Sequence, residues 1–198
     1  MECRAARNAV ALLPDAIRVE TVGHVLNGVE LRIADDGEIL VRGDLVMQGY
    51  WGLPDATQSA IPDGWLHTGD IGELDADGYL RITDRKKDMI VLSGGDNVSP
   101  ARVETMLASE PEIAQAVVAG EGQAGICALL VPTEGTDAAA VAKAVSRVNA
   151  RLSVIERVRK HAVVPPFTVE NGLLTATQKI RRTMVMREHA AELERMHA

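Results

Sequence analysis

The chain has little of four things, and each shortage excludes something. Its two cysteines, Cys3 and Cys127, are far apart and show no Cys-x-x-Cys or Cys/His ligand spacing. Neither a disulfide framework nor a zinc site is therefore expected. Aromatic residues are only 3% of the sequence, so the core must be aliphatic. Positive charge is in deficit: the net charge is −7, and nucleic-acid affinity comes mostly from neutralising phosphates, so no nucleic-acid partner is expected. Finally, no apolar run approaches the length of a membrane span. The N-terminus also lacks the basic-then-apolar layout of a signal peptide. A cytoplasmic, reducing setting without a transmembrane segment is the expectation.

What is present is ordinary globular material. The 198 residues are 46% hydrophobic and 25% charged, enough for one or two domains with a real core. From Val22 to about Leu92 the sequence is β-rich. VELRI, EILVRG, YLRIT and MIVLS alternate or run apolar over strand lengths, broken by the turn signals DDG (35–37), PDG (62–64) and ADG (76–78).

The character changes near residue 88. Ser99-Pro100 reads as an N-cap with proline in the first helical position, and Val103, Met106 and Leu107 follow on one face. AQAVVAG and GICALLVP read as a strand pair that turns between Gly120 and Gly125. Thr136 is expected to cap a long helix whose stripe is Val141, Val145, Val148, Leu152 and Ile155. A last helix is expected after Thr175, with Gln178 completing a capping box. The fold class is therefore α+β: a β-rich hairpin segment, then a small α+β domain with a short sheet and about three helices.

Three stretches carry candidate chemistry. In DGWLHTGDIGEL (63–74), Gly69 lets the backbone bend and present the Asp70 carboxylate, which suits a ribose diol. The plain alternative is an exposed hairpin turn. In DRKKD (84–88), Arg85 offers a planar fork for phosphate or ribose oxygens and Lys87 a movable point charge, or the run is a solvated turn. In NGLLTATQKIRR (171–182), Lys179 would lie in the first turn of the last helix. A cation there opposes the helix dipole unless an anion is its partner; the alternative is a surface lysine. Two compact basic spots in an acidic chain suit a small anionic ligand better than a polymer.

Read together, GYWG…DGWLHTGDIGELDADGYLRITDRKKDMIVLSGGDNVSPARVE resembles the AMP-forming acyl-CoA synthetases, in particular their long-chain fatty acyl-CoA ligase branch. YLRITDRKKDMIV is similar to that family's hinge element. NGLLTATQKIRR is similar to the branch's closing T-P-T-L-K segment, with Ala176 and Gln178 in place of proline and leucine. The resemblance covers roughly residues 20 to 185, and several motifs in the right order make it specific.

The resemblance implies an enzyme that joins a fatty acid to ATP, with Mg2+, as an acyl-adenylate, then passes the acyl group to CoA. It implies that residues 1–85 are the C-terminal part of a large adenylation domain, incomplete here, and 88–198 a small mobile domain, with a hinge at 84–88. Asp70 and Arg85 would bind the nucleotide ribose, Lys87 would be the pivot, and Lys179 the catalytic lysine at the carboxylate and α-phosphate. Gly94, Gly95 and Asp96 would line the loop of the CoA tunnel, and Glu2 matches a magnesium-linked glutamate.

Departures from the wider family are Val91, where other branches place a lysine, and Ala101-Arg102 before Glu104. The phosphate loop and acyl pocket would lie upstream, so the fragment alone is expected to be inactive. Its exposed hairpin face is expected to meet the missing N-terminal domain or to self-associate. Two further readings stay open: a non-catalytic remnant that binds nucleotide or CoA, and a fatty acyl-AMP ligase that serves a carrier protein.

Overall fold

The structure, a computed structural model, describes residues 9–11 and 18–197. The fold is α+β, and the chain divides into two compact units, Met1–Asp88 and Met89–Ala198.

The first unit is an antiparallel sheet of six strands in the order β1-β2-β6-β5-β4-β3. These are β1 (Val10–Ala11), β2 (Gly23–Val25), β3 (Val29–Ile33), β4 (Glu38–Gly43), β5 (Leu66–Leu74) and β6 (Tyr79–Arg85). VELRI and EILVRG form one hairpin, turned at Gly37 with φ +84°, a conformation glycine adopts without steric cost. Ile39, Val41 and Leu80 are buried together with Ala9 and Val10 as its aliphatic core. A short helix, α1 (Pro54–Ala60), was not legible in the sequence and buries none of its residues.

The plain alternative for 63–74, an exposed hairpin turn, does not hold: β5 is the longest strand among the described residues and lies between β4 and β6. Its inward positions are Leu66, Thr68, Asp70 and Gly72, so the two-residue period is present but carried by polar and glycine residues. A hydrophobic alternation test passes over such a strand.

The second unit begins with a two-strand hairpin, β7 (Ile90–Val91) and β8 (Asn97–Val98). Then come α2 (Pro100–Ala108), β9 (Ile113–Ala119), β10 (Cys127–Pro132), α3 (Ala138–Asn149), β11 (Lys160–Val163), α4 (Arg182–Glu188) and α5 (Ala190–His197). Ser99 caps α2, its side chain accepting from Arg102 N at 3.2 Å. The sheet order is β11-β10-β9, with β9 antiparallel and β11 parallel to β10. The parallel pair needs a crossover, and α3 lies in that connection.

This sheet is buried on both faces. Ala116, Val118, Ala128 and Leu130 pack with Val103, Leu107, Val141 and Val145. The alternate residues Val117, Leu129 and Val131 pack with Phe167, Leu173, Leu174 and Val185. Double burial explains why AVVA and CALLV read as unbroken apolar runs.

Three helix expectations are corrected. Asp137, not Thr136, caps α3, accepting from Ala140 N at 2.7 Å. The helix stops at Asn149: Leu152 is buried beyond it, whereas Ile155 is exposed in a separate 3-10 turn. The last helix starts at Arg182 and is broken at His189 into α4 and α5, giving four helices here instead of about three. Thr175 caps nothing, because its backbone N–H bonds to Lys179 O at 2.8 Å and its hydroxyl accepts from Lys179 N at 3.1 Å. Those bonds close a tight turn with Gln178 at φ +62°, outside the helical region.

Candidate functional site

In the first unit, the site is built where β5 departs from regular pairing. Opposite β4, Glu38 pairs with Ile71 but Leu40 pairs with His67, so β5 carries extra residues between them. On the other side Asp70 pairs with Arg85, and the register shifts again between Ile71 and Gly72. Thr68, Gly69 and Asp70 thus sit in a bulge, which bends a strand and re-aims its side chains. Gly69 has φ +70°, a conformation that costs any other residue steric strain.

Side chains satisfy the groups that the bulge takes out of the ladder. Thr68 Oγ1 donates to Ile39 O at 2.7 Å and accepts from Asp70 N at 3.1 Å. Gly69 N donates to Glu38 Oε1 at 2.9 Å. Asp70 is only 6% exposed, and Arg85 Nε lies 3.4 Å from its Oδ1. A mostly buried carboxylate beside a guanidinium presents its oxygens in a fixed direction, which is the arrangement a diol acceptor needs.

Glu38, which the sequence reading missed, is buried at 3% exposure. Its Oε2 accepts from His67 Nδ1 and from Lys86 Nζ, both at 2.8 Å. Burial opposes its ionisation, but the hydrogen bonds from Lys86, His67 and Gly69 outweigh it and hold the carboxyl below its ordinary value. Lys86 also pairs with Asp36 at 2.7 Å. That hydrogen bond is the main cause lowering the Asp36 carboxyl, and the two carboxylates together raise Lys86. A signal for Glu38 did exist: a charged residue placed directly against the apolar run ILV.

The other candidates are placed as follows. Lys87 is exposed in a 3-10 turn (Lys86–Asp88) and has no ion pair among the described residues. Gly94, Gly95 and Asp96 form the loop of the β7–β8 hairpin, where Leu92 N donates to Asp96 O and Gly95 N to Leu92 O. Gly95 has φ +86° and nothing within 4 Å of where a Cβ would stand, so glycine is explained there by backbone conformation and not by crowding. Ser93 N ties the loop to Gln123 O at 2.9 Å.

Lys179 is exposed at the closing end of the 175–179 turn, flanked by a bridge between Leu174 and Ile180. It is therefore not at a helix N-terminus, and the dipole argument does not apply to it. The segment is anchored just beyond: Arg182 Nη1 donates to Val118 O at 2.8 Å and its Nη2 pairs with Glu104, which also accepts from Val118 N. The residue Glu2 lies outside the described residues.

The chain's likeness to known proteins gives its family. Residues 87–198, more than half of the chain, match the family model described as the AMP-binding enzyme C-terminal domain. The chain belongs to the AMP-forming acyl-CoA synthetase family. It is 40% identical to the long-chain-fatty-acid–CoA ligase FadD15 of Mycobacterium tuberculosis, over 91% of this chain and 34% of that protein. It is 39% identical to the putative fatty-acid–CoA ligase fadD11 of the same organism, over 96% of this chain and 38% of that one.

Among solved structures it resembles the o-succinylbenzoate CoA synthetase MenE of Bacillus subtilis in complex with its acyl-adenylate intermediate. There the TM-score is 0.68 at 30% identity, covering 89% of this chain and 38% of that one. The same synthetase in complex with ATP and a magnesium ion gives a TM-score of 0.66 at 31% identity, over 88% and 38%. The chain spans about a third of the length of the synthetases it matches. Among the described residues no helix is long and apolar enough to cross a membrane.

The carboxylates around Lys86 give the first unit a pH dependence. Groups whose folded pKa is depressed contribute stability that is complete above their unfolded values and is lost as pH falls through the folded ones. For Glu38 and Asp36 the ordinary values are 4.5 and 3.8. The first unit should therefore hold its urea midpoint down to about pH 5 and lose it progressively below. Lys86→Met should flatten that acid limb, which a fluorescence titration of Trp65, in β5's lead-in, would record.

Proposed function

We propose that the chain is the C-terminal portion of an ATP-dependent long-chain fatty acid–CoA ligase. Residues 1–85 end its large adenylation domain, 88–198 form its small mobile domain, and the segment 84–88 is the hinge with Lys87 as pivot. In the first half-reaction a fatty-acid carboxylate oxygen attacks the α-phosphorus of ATP and pyrophosphate leaves. In the second, the CoA thiol gives up its proton, its sulfur bonds to the acyl carbon and AMP leaves. The names of FadD15 and fadD11 support the long-chain assignment.

The observation that carries the reading is the buried Asp70 in its bulge beside Arg85. A carboxylate with lone pairs fixed in one orientation accepts both hydroxyls of a ribose, and the guanidinium fork approaches the same sugar or its phosphate. Lys179 neutralises the charge that grows on the α-phosphate as the bond to the carboxylate forms. Gly94, Gly95 and Asp96 shape the CoA passage once the small domain has turned. Magnesium would accompany ATP, with Glu2, outside the described residues, as this chain's own candidate toward it. Leu45, Trp51 and Leu53, all exposed, are the apolar surface open to the remainder of a full-length ligase.

The test joins residues 20–198 of this chain to the N-terminal two thirds of FadD15 in place of its own segment. The chimera should release pyrophosphate with ATP and a long-chain fatty acid and should yield acyl-CoA, while these 198 residues alone should do neither. Asp70→Ala should raise KM for ATP about tenfold or more, as loss of a charge-assisted ribose contact implies. Adenylate without acyl-CoA would favour a carrier-protein acceptor, and no adenylate at all would overturn the reading.

A further inference from the structure

Glu38 belongs to no predicted site, yet it touches both ends of the nucleotide strand's support. Its Oε1 holds Gly69 N at 2.9 Å, the amide next to Asp70. Its Oε2 holds Lys86 Nζ at 2.8 Å, the residue next to Lys87. No backbone group of β4 takes these places, because the bulge has moved Gly69 out of register. We propose that Glu38 is a positioning residue that links the Asp70 bulge to Lys86 in the hinge segment, so that ribose holding and the pivot share one anchor. The inference rests on the nucleotide reading of Asp70 and deepens it.

The link has a physical basis in burial. At 3% exposure the carboxylate depends on its partners for ionisation. Lys86 is the only full positive charge on it among the described residues, since His67 is charged only when protonated. Without that ammonium, the buried carboxylate must either take up a proton or shift toward water. Either change weakens the bond from Oε1 to the Gly69 amide, although Lys86 never touches Gly69. In the other direction, strain on Asp70 passes through Gly69 and Glu38 to Lys86. Asp36 holds the same ammonium at 2.7 Å and accepts from Glu38 N at 3.1 Å, but among the described residues it has no bond to the bulge. Asparagine there removes the charge and keeps an oxygen acceptor for Glu38 N, so it separates the link from simple anchoring of Lys86.

Hydrogen exchange on the 198-residue chain tests this directly. Lys86→Met should speed exchange of the Gly69 amide about tenfold or more, the loss of one charge-assisted hydrogen bond. Amides of β3, which the anchor does not contact, should keep their protection, and Lys86→Arg should restore the wild-type pattern. Loosening confined to residues 86–90, with Gly69 unchanged, would overturn the proposal. If Lys86→Met also lowers β3 protection, Asp36→Asn decides instead: it should loosen 86–90 and leave Gly69 protected, and equal loosening of both would overturn the link. Steady-state kinetics of the FadD15 chimera separates the two ideas. There Lys86→Met should raise KM for ATP with kcat changed less. A wild-type chimera without adenylate formation would sink the nucleotide reading whatever the exchange shows, and an active chimera with unlinked exchange would sink this inference alone.

Discussion

In the FadD15 chimera, Lys179→Ala is expected to cut acyl-adenylate formation about 10²–10³-fold, measured as pyrophosphate exchange. Supplied acyl-adenylate should still react with CoA at a rate within about threefold of the parent. The asymmetry follows from what one ammonium can do. Adenylation concentrates negative charge on the α-phosphate oxygens, and a preplaced cation stabilises that state more than it stabilises ATP. Thioester formation removes AMP instead, and in the proposed reading the small domain has by then turned Lys179 away.

The local structure favours a clean result. Lys179 is exposed in a turn closed by backbone bonds and by the Thr175 hydroxyl, none of which uses its own side chain. Alanine should therefore leave the fold intact, which far-UV circular dichroism would verify. Equal loss of both half-reactions would show that the lysine is misassigned.

The second large effect is on stability. Phe167→Ala should destabilise the second unit by about 3–5 kcal/mol, the usual cost of emptying an aromatic site. Phe167 is the chain's one phenylalanine, is 2% exposed, and packs in a cluster with Val117, Leu129 and Val185. Its backbone is held as firmly: Gln115 accepts from Phe167 N at 2.8 Å and donates to Phe167 O at 3.0 Å. The side chain of Gln115 thus pairs with this loop as a neighbouring strand would. The truncation should lower protection of β9–β11 amides in hydrogen exchange and leave β3–β6 unchanged. Loss in both units together would mean that they unfold as one.

Much of this was legible beforehand, for reasons that differ between segments. VELRI and EILVRG alternate and are joined by DDG, so a local rule places that hairpin without knowledge of the rest. Ser99-Pro100 and the Val103–Leu107 face name α2 in the same way. Elements without a local signature were lost. The strand β5 carries polar and glycine residues inward, the short α1 buries nothing, and β11 becomes a strand only because β10 offers it a parallel edge. The Thr175-x-x-Gln178 pattern misled, because the turn's own hydrogen bonds compete with helix initiation.

Sequence alone determined the family, the order of its motifs and the identity of the charged groups, since these depend on which residues occur and how they are spaced. Tertiary structure decided which charges are spoken for. Lys86 and Lys87 are neighbours of the same type, yet the first is held by Asp36 and Glu38 from fifty and forty-eight positions earlier, while the second has no ion pair among the described residues. No local rule separates the two, because the carboxylates reach Lys86 only after β4, β5 and β6 have paired.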